Sequence, residues 1–257
     1  MPMRTVIFCY CMDVEPLNNE ELYAKWYDRM SDDRKKKMNK LRFRKDRNLS
    51  LGAGILSDYG LRQYGLKEKD MRYGVTANEK PIFENAPEIS FNLSHSGTKV
   101  LAAFFKHDIR NDIGNDIGCD IEMVSAIELD IAKRFFFKSE YQNIMGQKTD
   151  QEKTELFFRY WTIKESFMKA TGLGFMLALS DFEIVINSSN VTSKTKEEQV
   201  DKRNENITVV QTVDRNEYYF REFNNIPGYH CALCHKVAGA EIQFKMLQAQ
   251  ELAELKK

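Results

Sequence analysis

An α+β fold is what this sequence predicts, and three observations carry that expectation. Strand-like and helix-like stretches occur in both halves of the chain. Hydrophobic residues make up 42% and aromatic residues 12%, which is the composition of a folding chain and not of a disordered one. At 257 residues the chain is long enough for a substantial core, as one large domain or two intimate subdomains.

The elements follow in order. Residues 4–12 read as a short strand, and 18–30 as a helix opening at Asn18 with acids in its first turn. A polar helical stretch covers 31–64, interrupted near Gly52 and Gly54. Residues 72–83 are extended, with Asn78-Glu79-Lys80-Pro81 as a turn. Strands at 88–93 and 100–105 flank a Ser-His-Ser-Gly-Thr turn. Next, Asn111-Asp112-Ile113-Gly114 is followed directly by Asn115-Asp116-Ile117-Gly118, a tandem that lengthens the turn before the strand carrying Asp120. Helical patterns cover 128–136 and 150–171, the second ending at Gly172 and Gly174 as C-cap candidates. Strands are expected at 182–186, 207–213, 217–223 and 229–234, with the polar segment 188–206 as a mobile hairpin loop. The tail from Gly239 onward reads as an amphipathic helix.

The balance of 38 basic and 38 acidic residues gives no global attraction to nucleic acid, so charge matters only locally. The apolar run at the N-terminus is far too short for a membrane helix and lacks a small-residue cleavage site. No segment approaches the roughly 18 uninterrupted apolar residues of a span, so no membrane partner is expected. An odd number of cysteines, five, agrees with a reducing compartment, and the chain is read as cytoplasmic.

Three motifs carry chemistry. In Gly118-Cys119-Asp120-Ile121-Glu122 the two acids are two residues apart, so on a strand both carboxylates point the same way. A solvated strand face is the plain alternative, but Ile117 and Ile121 indicate a buried strand. Buried carboxylates need compensation, which a cation provides. Magnesium takes oxygen ligands and keeps several waters, so two or three carboxylates plus phosphate oxygens suffice. In the segment from Trp161 to Lys169, Glu165 and Lys169 are four apart and share a helix face. An intrahelical ion pair is the bland reading of those two. In Asn92-Leu93-Ser94-His95-Ser96, serine hydroxyls, backbone N–H groups and an imidazole in one turn form an anion cradle, against the alternative of a satisfied turn histidine. Acid, acid, acid and lysine near a Ser-His turn would make a magnesium-dependent phosphoryl-transfer site.

Residues 34–47 carry nine Lys or Arg and a single acid, Asp46. This is either a solvated helix face or a patch for a phosphate-rich ligand or acidic partner. It lacks the interleaved aromatic residues that stacking on single-stranded nucleic acid would want. The run His230-Cys231-Ala232-Leu233-Cys234-His235 resembles a zinc cluster, yet on a strand Cys231 and Cys234 face opposite ways, so core packing is expected.

The chain resembles the surfactin-synthetase-type 4′-phosphopantetheinyl transferases, over about residues 5–235. The Ser-His segment, the Gly-x-Asp-x-Glu segment and Trp161 to Lys169, as Trp-x-x-Lys-Glu-x-x-x-Lys, match the family's three motifs in order. Arg134-Phe135-Phe136 with Glu140-Tyr141 matches its linking segment, and Lys80-Pro81 its Lys-Pro. The resemblance implies a pseudo-twofold pair of similar α+β subdomains, here 1–108 and 109–238, followed by a helical tail 239–257. It implies coenzyme A as co-substrate in the cleft between them, an apo acyl or peptidyl carrier protein as partner, and a monomer. It implies that Asp120, Glu122 and Glu165 hold Mg2+ (or Mn2+) with the pyrophosphate, and that Lys169 lies beside it. Ser94 and His95 would bind nucleotide phosphate, helped by Arg34, Lys37, Ser50 and Lys80, Arg34 standing where a lysine is usual. Catalysis would fall to Asp120, Glu165 and Lys169, with Glu165 removing the serine proton directly or through water. The tandem Asn-Asp-Ile-Gly departs from the family pattern, as do Arg47 and Asn48 slightly, but only Asp120 has Glu122 at the right offset. Two rivals stand beside this reading: a coenzyme A or nucleotide pyrophosphate hydrolase on the same metal site, and a non-enzymatic basic docking module, which leaves the three acids unexplained.

Overall fold

The computed structural model describes residues 5–107, 117–187 and 207–254, the side chain of Phe175 excepted. The expected turn through Asp112 and Asp116 and the expected loop at 188–206 lie outside those residues. No helix among the described residues is long and apolar enough to cross a membrane. Strand β1 (Val6–Asp13) leads to helices α1 (Glu20–Tyr27), α2 (Asp32–Lys40) and α3 (Arg44–Arg62). The small hairpin β2 (Tyr73–Val75) and β3 (Pro81–Phe83) precedes the longer hairpin β4 (Ile89–Ser96) and β5 (Lys99–Lys106). Then come β6 (Ile117–Met123), α4 (Asp130–Phe135), α5 (Lys138–Met145), α6 (Asp150–Thr171), β7 (Glu183–Ile186), β8 (Ile207–Val210), β9 (Tyr219–Glu222) and β10 (Tyr229–His235). Strand β11 (Glu241–Leu247) and helix α7 (Ala249–Glu254) complete the described chain. The mixture of helices and sheets is α+β, as the sequence predicts.

Two compact units divide these elements, Met1–Ile117 with Gly239–Lys257, and Gly118–Ala238. In the first, a four-stranded sheet runs β11-β1-β5-β4. Helix α3 packs on it, and Gly52 and Gly60 explain how closely. A Cβ at Gly52 would lie 2.5 Å from Val14 Cγ1, and one at Gly60 2.5 Å from the Phe104 ring. The expected break near Gly52 and Gly54 is therefore corrected: both sit inside an unbroken α3, at a helix-propensity cost of about 1 kcal/mol each that close packing offsets. The interruption falls instead between α2 and α3. Likewise α1 is capped by Asn19, whose side chain accepts the Leu22 N–H at 2.9 Å, and not by Asn18.

The tail needs a larger correction. Residues 241–247 form not a helix but a strand, parallel to β1 with Val6 opposite Glu241 and Met12 opposite Leu247. Ile242 and Phe244 alternate with charged or polar neighbours, a period that suits a strand once β1 offers it an edge. Only residues 249–254 are helical, and Leu247, Ala249, Leu252 and Ala253 join the core of this unit.

In the second unit a three-stranded sheet runs β6-β10-β9 beside a β7–β8 hairpin. Helix α6 crosses it with Phe157, Tyr160, Ile163 and Phe167 in the core. Its start is a reciprocal cap, Glu152 N–H to Thr149 Oγ1 at 3.1 Å and Thr149 N–H to Glu152 Oε2 at 2.9 Å. Its end is Gly172, at φ 70. Helix α5 was not foreseen in the sequence. All five cysteines are free and buried, as core packing requires.

Candidate active site

Four of the motif side chains converge in the second unit. Asp120 is 2% exposed on β6, and Glu122, two residues on, is half-buried. Helix α6 lies against the start of this strand because residue 118 is glycine. A Cβ there would stand 2.0 Å from the Ser166 carbonyl oxygen and 2.4 Å from the Ala170 nitrogen, both rigid backbone. That approach brings Glu165 and Lys169, one turn apart on α6, over the two acids. Lys169 Nζ donates to Asp120 Oδ1 at 2.6 Å and to the Cys119 carbonyl at 3.3 Å.

The electrostatics agree with this proximity. Burial pulls the Lys169 ammonium down, but the Asp120 carboxylate outweighs it, with help from Glu165, and its pKa ends above the ordinary lysine value. The Glu165 carboxyl is raised, first by burial and then by the negative charges of Asp120 and Glu122, with Lys169 opposing. Among the described residues no three acidic, histidine or cysteine side chains are closed around an ion-sized space. The arrangement can do two things: hold a cationic ammonium where a substrate anion would lie, and present several acidic oxygens to one region.

The first unit gathers the basic residues, with changes from expectation. Ser94 and His95 belong to β4, which runs to Ser96, and the turn is only Gly97 and Thr98. Gly97 has φ 59, as the first position of a type II′ hairpin turn requires. Adjacent strand residues point to opposite faces, so Ser94 is buried while His95 is exposed, and the two side chains do not form one cradle. His95 shares its face with Phe91 and Leu93. Those two line a cavity of about 390 Å³ with Arg34, Lys37, Tyr73 and Pro81.

Arg34 is 6% exposed and committed to the scaffold. Its Nε donates to Glu68 Oε1 at 3.0 Å, Nη1 to the Ser50 carbonyl at 3.3 Å, and Nη2 to the Tyr73 hydroxyl at 2.8 Å. Glu68 is fully buried and also accepts the Ser31 N–H at 2.7 Å. Lys37, exposed overall, has its pKa lowered by partial burial first and by Arg34 second. Ser50 is buried. Lys80 is buried too, and its ammonium donates to the Ile117 carbonyl at 3.1 Å. Tyr73 and Glu68 escaped the sequence reading, because nothing local in residues 68–73 indicates a partner 34 residues earlier.

Comparison with known proteins bears on both units. The family model of the 4′-phosphopantetheinyl transferase superfamily matches residues 116–234, which include Asp120, Glu122, Glu165 and Lys169. The chain is 29% identical over 220 residues to the 4′-phosphopantetheinyl transferase Sfp of Bacillus subtilis, covering 85% of this chain and 87% of that protein. It is 28% identical to the 4′-phosphopantetheinyl transferase gsp of Aneurinibacillus migulanus, over 80% of this chain and 76% of that one. With the 4′-phosphopantetheinyl transferase HetI of Nostoc sp. it shares 32% identity over 54% of this chain and 57% of that one. With matching motifs in order and relatives aligned along most of its length, the chain is similar throughout to the 4′-phosphopantetheinyl transferases.

Proposed function

We propose that the protein transfers the 4′-phosphopantetheine group of coenzyme A to a serine of an apo acyl or peptidyl carrier protein. The observation that carries this reading is the Lys169–Asp120 contact beside Glu165 and Glu122. It puts a lysine and three acids of two separate motifs in one place.

The serine oxygen attacks the phosphorus that bears pantetheine. The bond from that phosphorus to the bridging oxygen breaks, and 3′,5′-ADP leaves. The leaving group is a phosphate, so a strong general acid is unnecessary. What the site must do is neutralise charge and align the hydroxyl. Lys169, kept protonated by Asp120, supports the negative charge on the pyrophosphate oxygens. Glu165 takes the hydroxyl proton directly or through a water.

Asp120, Glu122 and Glu165 are the residues that would hold Mg2+, and their chemistry fits. They are hard oxygen donors, and burial together with their mutual repulsion already lifts the Glu165 pKa. When bound, the ion supplies positive charge to the pyrophosphate. In the first unit, Lys37 and His95 serve the nucleotide phosphates, with Ser94, Lys80 and Ser50 as further polar groups. Arg34 shapes the cavity wall, since three of its donors are engaged. The apolar lining by Tyr73, Pro81 and Phe91 suits a flat base. Five buried thiols suit the reducing cytoplasm, and we read the enzyme as a monomer there.

Intact-mass spectrometry of an apo carrier protein incubated with this enzyme, coenzyme A and magnesium tests the reading. A magnesium-dependent gain of one phosphopantetheine with release of 3′,5′-ADP is expected. Coenzyme A cleavage with no carrier modified would make the protein a hydrolase instead.

A further inference from the structure

Lys164 and Glu140 belong to the matched motifs but have no part in the chemistry above, although both are fully buried, at 0% exposure. Lys164 Nζ donates to Glu140 Oε1 at 2.6 Å and to the Phe182 carbonyl at 2.8 Å. The same Oε1 accepts the Ile184 N–H at 2.7 Å, and Oε2 accepts the Phe137 N–H at 2.9 Å. The ammonium also lies 4.1 Å from the centroid of the Phe182 ring. One ion pair therefore ties together the start of α5, the entry to β7 and the middle of α6.

Stability alone does not account for such a pair. An apolar pair of similar volume is often as stable or more so, because two charges must be stripped of water. That cost falls on both groups, since each side chain is fully buried. What directional bonds add is orientation. With its side chains a helix is about 10–12 Å across, so a rotation of about 20° carries a side-chain tip about 2 Å. Lys164 immediately precedes Glu165 and lies five residues before Lys169. A misplacement of about 1 Å at a reacting group can cost about a hundredfold in rate.

We infer that the Lys164–Glu140 pair is a positioning device, fixing the rotation of α6 that presents Glu165 and Lys169 to β6. The inference rests on the transferase reading for its catalytic consequence, but not for its geometry. The double variant Lys164→Met with Glu140→Gln removes both charges at nearly constant volume, and the amide oxygen it introduces keeps an acceptor for the Ile184 N–H. The expected result is a folded protein whose kcat falls about tenfold or more and whose half-saturating magnesium rises. A folded variant with both quantities within about twofold of wild type would overturn the inference and leave the pair a purely structural contact.

Should the double variant not fold, Glu140→Asp retains the charge and shortens its reach by one methylene, and the same kinetic outcomes decide. A crystal structure of the Glu140→Asp variant provides a second readout independent of turnover. A turned α6 with the Lys169–Asp120 bond broken supports the inference, and an unmoved α6 sinks it. If the wild-type enzyme modifies no carrier, the transferase reading fails, and this structural comparison still decides the positioning.

Discussion

Asp120 shows how much one residue's role depends on its neighbour. It is almost wholly buried, and its charge is balanced by Lys169, which is 28% exposed. Removing the carboxylate should leave the lysine able to reach water, so Asp120→Ala is expected to keep the fold and lose turnover by a factor of about 100 or more. Steady-state rates at saturating magnesium, alongside far-UV circular dichroism, check this; near-normal activity would remove Asp120 from the site. Lys169→Ala should lower kcat more than it weakens coenzyme A affinity, and the reverse pattern would make Lys169 a binding residue only. Arg34 and Lys37, three apart on α2, are expected to behave differently from each other. Arg34→Lys leaves Glu68 buried without its fork of donors and should destabilise the protein by about 3 kcal/mol, read by urea denaturation. Lys37→Ala should raise the KM for coenzyme A with little change in Tm. If Arg34→Lys were fully stable, its scaffold role would be wrong.

At the scale of elements, the contact of α6 with the start of β6 matters most. Gly118 permits it, since any Cβ would meet the backbone of Ser166 and Ala170 far inside contact distance. Neither a flexible side chain nor a loop is available to give way. Gly118→Ala should therefore push α6 off the strand, destabilising the protein by about 1–3 kcal/mol as an overpacked core does. The Lys169–Asp120 geometry would move with it, so kcat should fall even in the folded fraction. Stopped assays of the soluble variant, corrected for folded protein by thermal melts, measure both effects. An unchanged melt would mean that α6 is not held where the glycine allows it.

Across the whole molecule, the C-terminal segment returns to the first unit. Strand β11 covers one edge of β1, and the Trp26 indole N–H donates to the Ala249 carbonyl at 3.0 Å. Ending the chain at residue 238 would expose the β1 edge and strip Leu247, Ala249, Leu252 and Ala253 from the core. Burial of each such leucine is worth about 1.5–3 kcal/mol. The truncated protein is expected to aggregate or to melt far below the full chain, as size-exclusion chromatography and calorimetry would show. A truncated protein with an unaltered Tm would mean that this segment is dispensable.

Local periodicity is what the sequence by itself determined. Two residues along a strand or four along a helix return to the same face, so Asp120 with Glu122 and Glu165 with Lys169 were legible before any contact was known. The span of α6 was legible as well, since Thr149, Glu152 and Gly172 are local start and stop signals. Only the tertiary structure decided that Lys169 grips Asp120, that Gly118 sets the helix on the strand, and that Arg34 belongs to Glu68. It also turned the expected helix at 241–247 into a strand, and split Ser94 and His95 between two faces. Each of these depends on a partner distant in the chain, on an edge to pair with or on where a strand ends. Weak local preferences, of order 1 kcal/mol per residue, yield to such long-range pairing and burial.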